Sequence, residues 1–175
     1  MNSPAILGIN RTQDGTISVF DGGRHVMSIH KERLTKRKHH WGRLGDIKMY
    51  KEQIPLIDRP YDLIVECWSA DDEYQKKEQY HEELRTVLNL KEGAEIIEIS
   101  HHLAHLYSAY HPSGFETCAA MIIDSVGSPV EHIKYDYPGK GKRNLFEVAS
   151  YYYCDKGEIK CIKKQLHDRN KSCQN

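Results

Sequence analysis

Apolar positions along this chain fall into short runs whose spacing changes as the sequence proceeds. The segment Ile6–Asn10 is a compact apolar run, and Asp14-Gly15 follows it as a turn signal. Residues 16–20 are rich in β-branched side chains, Asp21-Gly22-Gly23 marks a second turn, and residues 25–30 alternate. Three short runs joined by two tight turns predict an antiparallel meander. Beyond it the spacing alternates between strand and helix. Residues 45–53 predict a short helix ended by Pro55. Residues 61–68 (YDLIVECW) form a nearly continuous apolar strand of the kind covered on both faces. Over residues 71–90, Tyr74, Tyr80, Leu84, Val87 and Leu88 recur at helical spacing, with Asp71 or Asp72 as cap and Gly93 just past the end.

Residues 95–99 are the next predicted strand, and residues 102–110 a helix stopped by Pro112 and Gly114. Residues 118–124 predict another buried strand. Residues 146–154 and 158–163 predict a hairpin turning at Asp155-Lys156-Gly157. A meander followed by strand–helix alternation predicts an α/β fold with a mixed central sheet. That order is compatible with a ribonuclease-H-like lobe of the actin-like ATPases. The expected organisation is one lobe over residues 1–165 and a polar tail over 166–175. Residues 127–144, rich in Gly and Pro, read as a long loop.

Composition narrows the classes. Lys plus Arg equals Asp plus Glu at 25 each, so no global positive field points to nucleic acid. No apolar run approaches the roughly 18 residues of a membrane helix, and MNSPAILGIN lacks the basic and apolar regions of a secretory signal. The expectation is a cytoplasmic protein with reduced thiols: Cys67, Cys118, Cys154, Cys161 and Cys173 form no C-x-x-C pair. Cys67 and Cys118 read as core packing. The basic side chains cluster between residues 31 and 43, beside His39 and His40, either as a solvated turn or as an anion-binding loop.

The candidate chemistry centres on HHLAH. His101 and His105 are four apart, which puts both imidazoles on one helix face within reach of one ion, or leaves them as two exposed histidines at a helix start. Leu103, Leu106, Tyr107 and Tyr110 form a separate stripe that can pack on a sheet. Asp124 closes the strand CAAMIID ahead of Ser125-Val126-Gly127, at the strand end where ligand groups gather in open α/β sheets. It is either a turn-capping carboxylate or a third ligand. Two nitrogens and one oxygen suit Zn²⁺ or Fe²⁺. Neither a P-loop nor a dinucleotide fingerprint is present.

The segment ISHHLAHLYSAYHPSGF followed by AAMIIDSVG resembles the core signature of the O-carbamoyltransferases of nodulation-factor and antibiotic tailoring. The opening ILGINRTQDGTISVFDGGRHVMSIHKERLTKRKHH resembles the same family's first hairpins and basic segment, and the likeness extends over roughly residues 5–130. It implies an actin-like fold. It also implies transfer of a carbamoyl group from carbamoyl-adenylate, made from carbamoyl phosphate and ATP in a separate domain, to an acceptor hydroxyl. By position, His101, His105 and Asp124 would be metal ligands, and Lys38 and His39 would face the carbamoyl or phosphate end. Asp14, Gly15, Ser125 and Gly127 would border the nucleotide. The sequence departs from the family at Gln13, Ser125 and Ser128, where a His, a Gly and an acidic residue are usual. On this reading the second lobe and the adenylating domain are missing, and a partner chain or further region would complete the site. The alternatives are a non-catalytic metal- or nucleotide-binding module derived from that family, and an enzyme of the tRNA threonylcarbamoyl type, against which the neutral charge balance and the HHLAH form speak.

Overall fold

A computed structural model describes residues 3–68, 76–130 and 145–168. The chain forms two compact units, one holding residues up to Glu98 and the other running from Ile99. The single lobe expected over residues 1–165 is therefore divided at the end of a strand.

The first unit opens with the predicted meander: β1 (Ile6–Asn10), β2 (Thr16–Asp21) and β3 (Arg24–His30), paired antiparallel in sequence. Gly22 and Gly23 turn the second hairpin with φ of 58° and 75°, a left-handed pair that suits the twist of the flanking strands. Helices α1 (Lys31–Thr35) and α2 (Asp46–Gln53) and a 3₁₀ turn (Pro55–Ile57) lead to β4 (Pro60–Trp68). β4 lies parallel to β1, with Ile6 opposite Leu63 and Asn10 opposite Cys67. After α3 (Lys77–Val87), β5 (Asn89–Ser100) completes a mixed sheet in the order β3-β2-β1-β4-β5. Its core joins Leu7, Ile17, Val19 and Ile64 from the sheet to Ile47, Tyr50 and Leu84 from the helices.

Two boundaries moved. The helix expected over 71–90 ends at Val87, because Leu88 turns extended and Asn89 already belongs to β5. Gly93, expected just past that helix, lies inside β5 with φ of 78°. Asp71, Asp72 and Tyr74 lie outside the described residues.

The second unit contains α4 (His101–Ser113) and a separate antiparallel sheet, β6 (Thr117–Ile123), β7 (Leu145–Asp155) and β8 (Glu158–Asp168), in the order β6-β7-β8. The fold is thus mixed α/β with two sheets rather than one. Ser100 caps α4, its Oγ accepting the Leu103 N–H at 3.2 Å, and Gly114 ends it in a left-handed conformation. Pro112 sits within the last turn instead of just past the end of the helix. α4 buries Leu106 and Tyr110 against Tyr152 and Cys154, with Leu103 and Cys118 packed alongside. Tyr107, expected in that stripe, is 37% exposed. β6 is also not a buried strand: Met121 and Ile123 are exposed, because helix α4 covers one face of the sheet and alternation sends these side chains to the other. The hairpin turns at Lys156 and Gly157, both at positive φ. β8 runs on to Asp168, so the polar tail expected from residue 166 begins as strand. Of the predicted loop, residues 131–144 lie outside the described residues, as do residues 169–175 of the tail. Among the described residues no helix is long and apolar enough to cross a membrane.

Candidate metal centre

The first turn of α4 and the end of β6 bring His101, His105 and Asp124 together, with one ligand atom from each within 4.8 Å of the others. His101 Nε2 lies 2.8 Å from Asp124 Oδ2 and 3.0 Å from His105 Nε2, and His105 Nε2 lies 3.5 Å from the same carboxylate oxygen. The two rings meet edge to face, with centroids 4.4 Å apart, as i and i+4 positions of one helix allow. Among the described residues this is the cluster of His, Cys, Asp and Glu side chains with ligand spacing.

The electrostatics favour ligand protonation states. Burial lowers the pKa of His101, outweighing the opposing hydrogen bond and charge of Asp124, so the imidazole is held neutral. Burial alone would push the Asp124 carboxyl up. The hydrogen bond from His101 and the Ser125 N–H donated to Oδ1 at 2.6 Å outweigh it, and Asp124 ionises below the usual carboxylate range. With Oδ1 occupied by Ser125, Oδ2 is the oxygen turned to the histidines. A neutral imidazole and an ionised carboxylate are the forms that bind a divalent cation.

His102 takes a different direction. It is fully buried, its Nδ1 lies 2.7 Å from Ser150 Oγ, and its Nε2 has no hydrogen-bond partner among the described residues. Burial first, and the Lys164 ammonium next, lower its pKa to about 4. Beneath the helix lies a polar group that the strand pattern conceals. Glu147 on β7 and Lys164 on β8 are fully buried and ion-paired, and Lys164 Nζ also donates to Tyr152 Oη at 3.1 Å. Burial drives the Glu147 carboxyl up to about 7 and the Lys164 ammonium down to about 7. Glu147 Oε1 accepts the N–H of His102 at 3.0 Å and that of Ser128 at 3.1 Å. The sequence signal for this group is slight: Glu147 stands inside the apolar run LFEVASYYY, and Lys164 is one of two adjacent lysines in CIKKQL.

Ser125 is exposed at the site, whereas Gly127 and Ser128 are buried in the wall beneath it. A Cβ on Gly127 would overlap Glu147 Cγ and lie 2.9 Å from both Glu147 Oε1 and His102 Cδ2, so the glycine leaves room for the glutamate. Ser128 Oγ accepts the His101 N–H at 2.9 Å.

The remaining candidates lie in the first unit and meet one another there. His39 Nδ1 is 2.9 Å from Asp14 Oδ1, and the His39 N–H donates to Glu32 Oε2 at 3.3 Å. The Gly15 N–H is taken by the His40 carbonyl at 3.1 Å, so what this turn presents is the Asp14 carboxylate rather than a backbone donor. Lys38 is exposed beside it. Lys31 is not part of an open cationic loop. It is buried, paired with Asp46 at 2.6 Å, and donates to the Trp41 carbonyl.

No family model matches this chain, and no curated protein matches it.

Proposed function

We propose that this chain carries the metal-binding part of a cytoplasmic carbamoyltransferase of actin-like architecture, acting on carbamoyl-adenylate derived from carbamoyl phosphate and ATP and on a hydroxyl-bearing acceptor. The observation that carries this reading is the convergence of His101, His105 and Asp124 from two segments, the same three residues that the family signature marks as ligands. The antiparallel meander with β4 added parallel to β1 supports the actin-like reading. The meander β6-β7-β8 repeats the arrangement of β1-β2-β3, which supports taking it as the opening of a second lobe.

His101 Nε2, His105 Nε2 and Asp124 Oδ2 would hold a divalent ion, Fe²⁺ or Zn²⁺, and their donor set fits either. When bound, such an ion supplies Lewis acidity toward a carbamoyl carbonyl or an acceptor hydroxyl. The chain's own contribution is to keep His101 neutral by burial and Asp124 ionised by hydrogen bonding, so that neither must lose a proton near neutral pH. Ser125 is exposed next to Asp124 and donates its N–H to that carboxylate. Lys38 and His39 are assigned to the phosphate or carbamoyl end by the resemblance alone.

One observation favours the second reading, a non-catalytic metal-binding module. Ser128 stands where the family carries an acidic residue, and here it is buried and holds the His101 N–H. Carbamoyl-adenylate supplied with Zn²⁺ or Fe²⁺ and a panel of hydroxyl acceptors separates the two. Metal-dependent release of AMP that is lost in His101→Ala supports the transferase. Stoichiometric metal binding without AMP release, also when the completing region is supplied, supports the module. Metal retained by His101→Ala at the wild-type level refutes the site in both readings.

A further inference from the structure

We infer that Glu147 is a positioning residue for the metal centre, clamping the two segments that present its ligands. One carboxylate oxygen, Oε1, accepts the N–H of His102 from the first turn of α4 and the N–H of Ser128 from the segment after Asp124. These are the residue following His101 and the residue four beyond Asp124. Ser128 closes the link from its own side, its Oγ accepting the His101 N–H. The backbone reinforces it: the Gly127 N–H donates to the Glu147 carbonyl at 2.8 Å, and the Glu147 N–H to the Ser128 carbonyl at 3.1 Å. Asp124 itself donates its N–H to the Val148 carbonyl at 3.0 Å, so β7 grips this segment at two points.

The chemistry explains why a carboxylate occupies the place. The first N–H groups of a helix have no acceptor within the helix. Ser100 Oγ takes that of Leu103, Ser128 Oγ that of His101, and Glu147 that of His102. A buried carboxylate can bridge two donors with one oxygen while Lys164 occupies the other. Outer groups that orient ligands commonly set metal affinity within a factor of about 10–100.

This inference rests on the metal-binding reading, and the test separates the two. Zn²⁺ affinity is measured by competition with a chromophoric chelator for the wild type, His101→Ala, and two double variants. Glu147→Gln with Lys164→Met keeps an oxygen acceptor at position 147 and removes the buried charges. Glu147→Leu with Lys164→Met removes the charges and the acceptor. The expected result is near-wild-type affinity for the glutamine pair and a loss of roughly 10- to 100-fold for the leucine pair. Equal affinity in the two pairs overturns the inference while leaving the metal centre standing. A wild type that binds Zn²⁺ no better than His101→Ala overturns the metal reading itself. Should the leucine pair fail to fold, Ser128→Ala, which removes the acceptor for the His101 N–H, is expected to weaken binding several-fold. Unchanged affinity in that variant overturns the clamp.

Discussion

His105→Ala separates metal binding from folding more cleanly than any other change at the triad. The His105 side chain is 49% exposed, and its interactions are with His101 and Asp124 across the site. Truncating it leaves the packed face of α4, Leu106 and Tyr110, untouched. The unloaded variant should therefore match the unloaded wild type within about 0.5 kcal/mol. With metal the two should part. A ligand held at a free concentration a hundredfold above its dissociation constant stabilises the folded state by about 2.7 kcal/mol. For chains of this length that is a rise in Tm of roughly 5–10 °C. Removing one of three ligands and weakening affinity about a hundredfold reduces the same term to about 0.4 kcal/mol, a shift of roughly 1–2 °C. The assay is thermal unfolding with and without Zn²⁺, with a chelator to restore the unloaded curve. A variant that keeps the full metal-dependent rise would refute the argument, since the triad could then not be what binds. A variant that melts well below the wild type without metal would refute the claim that His105 is dispensable to the fold.

Three further outcomes follow from buried charge and close packing. His102 is neutral in the fold, with its pKa lowered from 6.5 to about 4, so between these values the unfolded chain binds a proton at this residue that the folded chain does not, and its contribution to stability falls as the pH drops, opposite in sign to that of Glu147 with its pKa raised to about 7. The loss is up to about 3 kcal/mol and disappears as the pH rises past 6.5, and His102→Gln should remove this contribution from the pH profile measured by urea unfolding; an unaltered profile would show that another group titrates there. Glu66→Ala leaves the Arg11 guanidinium, 2.6 Å away and 1% exposed, without its main partner. The expected cost is about 3 kcal/mol, the lower end for a broken buried pair because Glu83 remains at 3.7 Å, and a denaturation midpoint close to wild type would contradict it. Gly127→Ala forces Glu147 to move and should weaken Zn²⁺ binding more than it lowers the melting temperature of the unloaded protein; unchanged affinity would show that the glycine's close contact is incidental.

The parts of this protein legible in its sequence are those that local spacing controls. The three strands of the first meander, the β4 run and the α4 helix follow from period, turns and caps within a few residues of each position. The triad was legible as well, since i and i+4 on a helix and a carboxylate at a strand end are local statements. What escaped depends on partners distant in sequence. β6 reads as a buried apolar run, yet only one face of its sheet is covered by α4, so Met121 and Ile123 lie open. Glu147 and Lys164 look like ordinary surface charges of a hairpin, until the pairing of Ser150 with Lys164 and the burial of Glu147 turn both inward. His102 looks like a spare member of the HHLAH cluster, but the helix rotation between adjacent residues, about 100°, sends it into the core while His101 faces the site.

That rotation explains how one short segment does two jobs. To serve as a ligand, residue 101 would have to stay accessible and yet be held still. Its own side chain, already only 14% exposed, cannot be packed more tightly without closing the site. The neighbouring residue resolves the conflict. His102 is locked by Ser150 through its ring and by Glu147 through its backbone, so the backbone of the first helical turn is fixed while the face carrying His101 and His105 stays open. The same division appears on the other segment: Asp124 and Ser125 remain at the site, while Gly127 and Ser128 are buried against Glu147. In both segments the candidate ligand is held by a residue that does not face the site, and both holding residues converge on a single oxygen of Glu147. Conservative exchange at the ligands therefore tests the chemistry, whereas exchange at Glu147 tests the geometry that makes the chemistry possible.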